Sequence, residues 1–131
     1  MLIGACIEVH RHLGPGLLES VYEQCLCQEL SERGLSYERQ KVLPVRYKGR
    51  ELQHGHRLDL VVDGAVLVEV KAVERLLPVH EAQVITYLRL SGLAVGLLVN
   101  FHAATIKQGL RRLTRSRFLP VSPPSCDPED C

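Results

Sequence analysis

The chain has 131 residues, 46% apolar and 24% charged, and its 16 Lys and Arg against 15 Asp and Glu leave a net charge of +1. That balance belongs to an ordinary globular domain and excludes collagen-like and wholly disordered chains. The longest apolar stretch, Leu93 to Val99, falls far short of the ~20 residues that span a bilayer, and no basic segment followed by an apolar block marks a secretory leader.

The first predicted element is a helix from Leu2 to Leu13, with Leu2, Ile3, Cys6, Ile7 and Val9 as its apolar positions. Gly14-Pro15-Gly16 breaks it. A second helix follows from about Leu17 to Arg33, where Leu18, Val21, Tyr22, Cys25, Leu26 and Leu30 recur at spacings of three and four. Gly34 stands where a left-handed cap ends such a helix. Glu38 to Tyr47 then reads as a strand, and Pro44 within it argues for a sheet edge or a bulge. Lys48-Gly49 reads as a turn.

Arg57 to Val62 and Ala65 to Val73 are β-branched runs about Asp63-Gly64, the pattern of a hairpin. Pro78 opens a third helix that Ser91-Gly92 closes. Leu93 to Asn100 reads as a buried strand, and a basic helix is predicted from about Thr105 to Thr114. The last twelve residues hold four prolines and three acids, a composition unable to bury a core. The expectation is one folded domain over 1–118 and a disordered Pro-rich tail over 119–131. Its fold class is α/β, with a mixed four-stranded sheet flanked by helices in the order α-α-β-β-β-α-β-α.

The five cysteines (Cys6, Cys25, Cys27, Cys126 and Cys131) are an odd number without secretory context, which favours reduced thiols and a cytoplasmic location. Cys25 and Cys27 sit two apart on a helix and point about 200° apart, so they cannot share a metal. Lys107, Arg111, Arg112, Arg115 and Arg117 cluster without an acid between 106 and 120. Such a segment either docks phosphate, with Lys107, Arg111 and Arg112 as the nucleic-acid contacts, or is a solvated helix end.

Three charges interrupt runs that otherwise favour burial: Asp59 in Arg57–Val62, and Glu69 and Lys71 in Val66–Val73. Charges in such strands are costly unless paired or bound to a metal. Glu69 and Lys71 are two apart and share a face. They form either a buried ion pair or part of a reactive centre. Hairpin register decides whether Asp59 joins them. A two-residue Asp63-Gly64 turn pairs Asp59 with Val68 and puts Glu69 on the other face. A three-residue loop over 62–64 pairs Val61 with Ala65 and Asp59 with Leu67. Asp59, Glu69 and Lys71 then line one face, and Leu58, Leu60, Val66, Val68 and Val70 the other. The cleaner apolar face favours the second register.

Asp59 followed ten residues later by Glu69-x-Lys71 resembles the signature of the PD-(D/E)XK nuclease superfamily, with Leu58 where the motif name has proline. Gly16-Leu-Leu-Glu19-Ser-Val-Tyr22 is similar to the signature of the GxxExxY protein family, a bacterial branch of that superfamily. The resemblance runs from about Ile3 to Arg112 and includes Leu77–Gln83 and Val99-Asn100-Phe101. It implies a restriction-endonuclease-like fold and a Mg²⁺- or Mn²⁺-dependent nuclease that hydrolyses phosphodiester bonds in DNA, or RNA as the other substrate. It also implies site roles. Asp59, Glu69 and the main-chain carbonyl of Val70 would hold the metal, hard cations favouring oxygen ligands, and Glu19 of the second helix would reach the metal or its water shell. Lys71 would orient the attacking water or neutralise charge on the phosphate. Gln83 and Tyr87, one helical turn apart, resemble the extra motif of the RecB-type and lambda-exonuclease-type branches. His80 shares their face and is expected nearby, while Tyr22 is expected to pack rather than react. His10, His12, His54 and His56 have no convincing ligand spacing. The rival reading is a non-catalytic nucleic-acid-binding or protein-interaction module on the same fold. The sequence leaves monomer and homodimer both open.

Overall fold

The computed structural model describes residues 2–52 and 55–115. The predicted 119–131 tail, Arg117, His54, Cys126 and Cys131 lie outside them. Helices α1 (Leu2–Leu13) and α2 (Glu19–Glu32) come first, then β1 (Tyr37–Leu43), β2 (Arg46–Tyr47), β3 (Arg50–Glu51), β4 (His56–Val62) and β5 (Val66–Lys71). Helix α3 (Pro78–Ser91), strand β6 (Val95–Asn100), the short α4 (Ile106–Gly109) and β7 (Leu110–Thr114) complete the order. The main sheet runs β1-β4-β5-β6-β7, and β2 and β3 form a separate two-stranded ribbon. Among the described residues only the β5–β6 pair is parallel, with α3 as its crossover.

The sheet lies between two apolar layers. On one face Ala5, Cys6 and Val9 of α1 and Tyr22, Leu26, Cys27 and Leu30 of α2 pack on Leu60, Val62, Val68, Val70, Leu97 and Val99. On the other, Val84, Ile85, Tyr87 and Leu88 of α3 pack on Leu58, Val61, Leu67, Leu98 and Leu113. Strands covered on both faces read as near-continuous apolar runs, as β5 and β6 do. Gly34 (φ +75°) caps α2 as its sequence position predicts, with the Leu35 N–H reaching the Leu30 carbonyl at 2.9 Å.

Four expectations need correction. The sheet has five strands rather than four, because residues 110–114 form β7 and not the second half of a basic helix. Leu110 and Leu113 turn inward, and antiparallel pairing with Val95–Val99 satisfies the open edge of β6, which a helix there would leave unpaired. Gly109 makes the switch possible: a Cβ on it would stand 2.4 Å from the Asn100 carbonyl oxygen. The predicted strand Glu38–Tyr47 is two elements, since Pro44 cannot donate to a ladder and pairing stops at Leu43.

The hairpin register also differs. Val61 pairs with Leu67 and Val62 with Val66, so the loop is 63–65 rather than 62–64. Asp63 and Gly64 are both left-handed (φ +54° and +63°), and the Ala65 N–H bonds the Val62 carbonyl at 3.0 Å. Continued one step, this register sets Asp59 opposite Glu69. The shift is an even number of residues, so Asp59 and Glu69 remain together. Finally, the expected apolar face is not one face: Leu60, Val66, Val68 and Val70 pack toward α1 and α2, but Leu58 packs toward α3.

Candidate active site

Strand β5 occupies the middle of the sheet, and its C-terminal end carries the charges. Glu69 is 7% exposed, and its Oε1 is the one buried side-chain polar atom among the described residues without a hydrogen-bond partner. Its Oε2 stands 3.7 Å from the Lys71 amine. Lys71 in turn donates to Gln83 Oε1 of α3 at 3.2 Å. The Asp59 carboxylate crosses from β4 and accepts the Val70 N–H at 2.9 Å. Glu19, in the first turn of α2, accepts the Ala72 N–H at 3.3 Å just past the strand. Two helices on opposite faces thus reach one strand end.

Burial in this place is electrostatically unfavourable. Glu69 is pushed up to about 8, first by desolvation and then by the nearby Asp59 charge, with Lys71 opposing. Asp59 is also raised by desolvation, partly relieved by the Val70 N–H, with Glu23 and Glu19 adding repulsion. Tyr87 is buried one helical turn from Gln83 and stacks on the His56 ring with centroids 4.5 Å apart. Desolvation, then Glu69 and Asp59, push its phenol up to about 12. It therefore stays a protonated phenol beside the carboxylates.

A buried carboxylate with an orphaned oxygen, beside a second carboxylate, suits a hard divalent cation that takes oxygen ligands. Asp59, Glu69 and the Val70 carbonyl are the residues that would hold it. Among the described residues no three His, Cys, Asp or Glu side chains form a ready metal cluster. Two carboxylates and one carbonyl leave room for a cation that retains several waters.

Other residues named from the sequence fall in various places. Tyr22 packs, fully buried, and its hydroxyl donates to the Gly14 carbonyl and accepts the Leu17 N–H at 3.1 Å. It ties down the loop that delivers Glu19. His80 is occupied elsewhere: its Nδ1 accepts the Leu77 N–H at 2.9 Å and starts α3. Lys107 and Arg111 line different clefts. Arg111 and Arg112 are neighbours on a strand and point to opposite faces. Arg111 lies 3.6 Å from Glu81 of α3, and Lys107 lines a cleft against Ile7, His10 and Arg11 of α1.

Sequence reading gave no role to Asn100 of the Val99-Asn100-Phe101 segment, which is buried at the end of β6 opposite Lys71. Its amide donates to the Val73 carbonyl and accepts the Val73 and His102 N–H groups, which fixes the chain leaving β5. A polar residue closing an apolar run was the available signal. It also missed Glu23, a buried carboxylate on α2 bound by Arg39 and Gln40. A third omission is Arg75, which lines a cleft of about 470 Å³ with Glu74, Asn100, His102, Gln108 and Arg111.

No helix among the described residues is long and apolar enough to cross a membrane. No curated protein and no solved structure matches the chain. A family model described as the PD-(D/E)XK nuclease superfamily matches residues 1–113. That span contains both helices of the N-terminal hairpin, Asp59, the Glu69-x-Lys71 triplet and all but the last residue of β7. With its five-stranded mixed sheet flanked by helices, consistent with a restriction-endonuclease-like core, the chain belongs to the PD-(D/E)XK nuclease superfamily.

Proposed function

We propose that this protein is a Mg²⁺- or Mn²⁺-dependent nuclease that hydrolyses phosphodiester bonds in DNA, within the GxxExxY branch suggested by Gly16, Glu19 and Tyr22. The observation that carries the reading is the Glu69 carboxylate, desolvated beside Asp59, whose Oε1 is orphaned while Oε2 faces Lys71. A structural ion pair would saturate that carboxylate, because an unmade hydrogen bond at a buried oxygen costs stability.

When bound, the cation would polarise the phosphate and make its water a better nucleophile. The chain's own residues do the rest. Asp59 and Glu69 supply negative oxygens, with Asp59 oriented by the Val70 amide. Lys71, steered by Gln83, presents a cation where the phosphate gains charge. Fixed donors aimed at developing charge contribute heavily in sites that exclude water. Glu19, held at the Ala72 amide, stands where it orients water from the α2 side. The cleft of Arg75, His102, Gln108 and Arg111 adjoins the end of β5 and supplies a path for the nucleic-acid strand.

The decisive experiment incubates wild type and Glu69→Ala with linear, circular and single-stranded DNA, with Mg²⁺, Mn²⁺ or neither. Cleavage that needs metal and disappears in Glu69→Ala supports the nuclease. DNA binding without cleavage of any substrate by either metal overturns it in favour of a binding module.

A further inference from the structure

Successive side chains on a strand point to opposite faces, yet Arg39 and Gln40 of β1 both reach the same carboxylate. Arg39 Nε donates to Glu23 Oε2, and Gln40 Nε2 donates to Glu23 Oε1 at 3.1 Å and Oε2 at 2.9 Å. The backbone explains the coincidence: Gln40 is left-handed, with φ +54°. A residue with a Cβ adopts that conformation at a cost, and Gln40 is solvent-exposed, so packing does not impose it.

The kink lies at one point of the β1–β4 ladder. Arg39 pairs with Leu60 and Lys41 with Leu58, which leaves Gln40 opposite Asp59. Both strands change face there. Before the kink, Tyr37 of β1 packs toward α1 and α2, whereas Leu43 beyond it packs toward α3. On β4, Leu58 and Leu60 are two apart and should share a face, but they lie in opposite cores. The Gln40 carbonyl is taken by the Arg57 guanidinium at 3.2 Å. No residue is inserted at this point, since the register is the same on both sides of it; the change is one of backbone direction.

We infer that Gln40 is a positioning residue, held left-handed by Glu23, whose kink in the β1–β4 ladder turns the Asp59 carboxylate onto the Val70 amide and into the metal site. The last part of this inference rests on the nuclease reading. Glu23 is suited to the holding role. It is 5% exposed, it sits one helical turn after Glu19 on α2, and its carboxylate oxygens are already engaged by Arg39 and Gln40. It acts through Gln40 and not as a ligand.

Three variants test this, Gln40→Gly, Gln40→Val and Glu23→Ala, with Mn²⁺ binding measured by calorimetry and Val70 amide hydrogen exchange measured by NMR without metal. Glycine accepts the left-handed conformation freely, and a β-branched residue does not. Gln40→Gly should bind Mn²⁺ within about threefold of wild type, whereas Gln40→Val should lose about tenfold or more, the usual scale for residues that orient metal ligands. Val70 exchange should accelerate in Gln40→Val and not in Gln40→Gly. Glu23→Ala should weaken Mn²⁺ binding and expose Val70 in the same sense, and it decides alone if Gln40→Val does not fold. Equal Mn²⁺ affinity and equal Val70 protection in wild type, Glu23→Ala and any folded Gln40→Val overturn the inference. A wild type that binds no Mn²⁺ overturns the metal reading instead, and Val70 exchange still decides whether Gln40 places Asp59.

Discussion

Tyr22 lies flat on Phe101, ring centroids 4.7 Å apart and planes within 10° of parallel. The contact joins α2 to the segment after β6, and the Phe101 N–H bonds the Lys71 carbonyl at 2.9 Å. The ring that anchors the Glu19 helix therefore also braces the strand carrying Glu69 and Lys71. His102 adds a second tie, its Nε2 donating to the Leu17 carbonyl at 2.9 Å.

Tyr22→Phe separates these functions. The stack survives, but the half-buried Gly14 carbonyl and the N–H of exposed Leu17 lose the hydroxyl that bonded them. Losing hydrogen bonds of this kind at groups that water can reach costs about 0.5–1.5 kcal/mol. Urea unfolding should show a loss of that size, and cleavage should fall further than stability explains, because the loop delivering Glu19 loosens. Unchanged cleavage by folded Tyr22→Phe would mean that Glu19 needs no such anchoring.

The carboxylates give stability a defined pH dependence. Glu69 is raised from 4.5 in the unfolded chain to about 8 in the fold, so between those values the folded state binds the proton more tightly. Stability from this group is therefore greatest below the lower value and declines as pH rises through the window. Asp59 is shifted in the same direction and adds to the decline. Thermal melts of metal-free protein from pH 5 to 8 should show falling midpoints, and Glu69→Gln should flatten the curve. Cation and proton compete for the same oxygens, so Mg²⁺ or Mn²⁺ should stabilise most at the alkaline end.

DNA contacts should follow the structure and not the run of basic residues in the sequence. Arg75 lines the cleft beside the end of β5, while Arg112 points from the face of β7 opposite Arg111. Arg75→Ala should lower the salt dependence of duplex binding by about one unit of log–log slope, the effect of one lost phosphate contact. Arg112→Ala should leave both affinity and slope unchanged. Fluorescence anisotropy across a salt series measures both, and equal effects of the two changes would remove the cleft from the binding path.

Much of this arrangement was legible in the sequence because it depends on local chemistry. The helix borders follow Gly14, Gly34, Pro78 and Gly92, each a stop or start with a mechanism. Parity puts Asp59 and Glu69 on one side of the hairpin, so an incorrect loop boundary left that part intact. Tertiary demands hid the rest. β7 reads as a helix by composition and becomes a strand because β6 needs a partner on its open edge. The left-handed Gln40 leaves no trace in residue type, since its cause is Glu23, seventeen residues away. Arg111 looks free in the sequence and is paired with Glu81 by the packing of α3 against β7.

The central place of β5 has a consequence for how the molecule fails on heating. Edge strands and helix ends open in local fluctuations, whereas a strand paired on both sides and covered on both faces is exposed only when the whole domain opens. Asp59, Glu69 and Lys71 belong to this rigid interior. Glu19 does not: it occupies the first turn of α2, behind a loop whose Gly14 and Gly16 are both left-handed (φ +69° and +109°). The site thus joins a component that lasts until the cooperative transition to one that can detach well below it. Reversible inactivation at moderate temperature would then arise from the helix side, while the strand keeps its carboxylates in register.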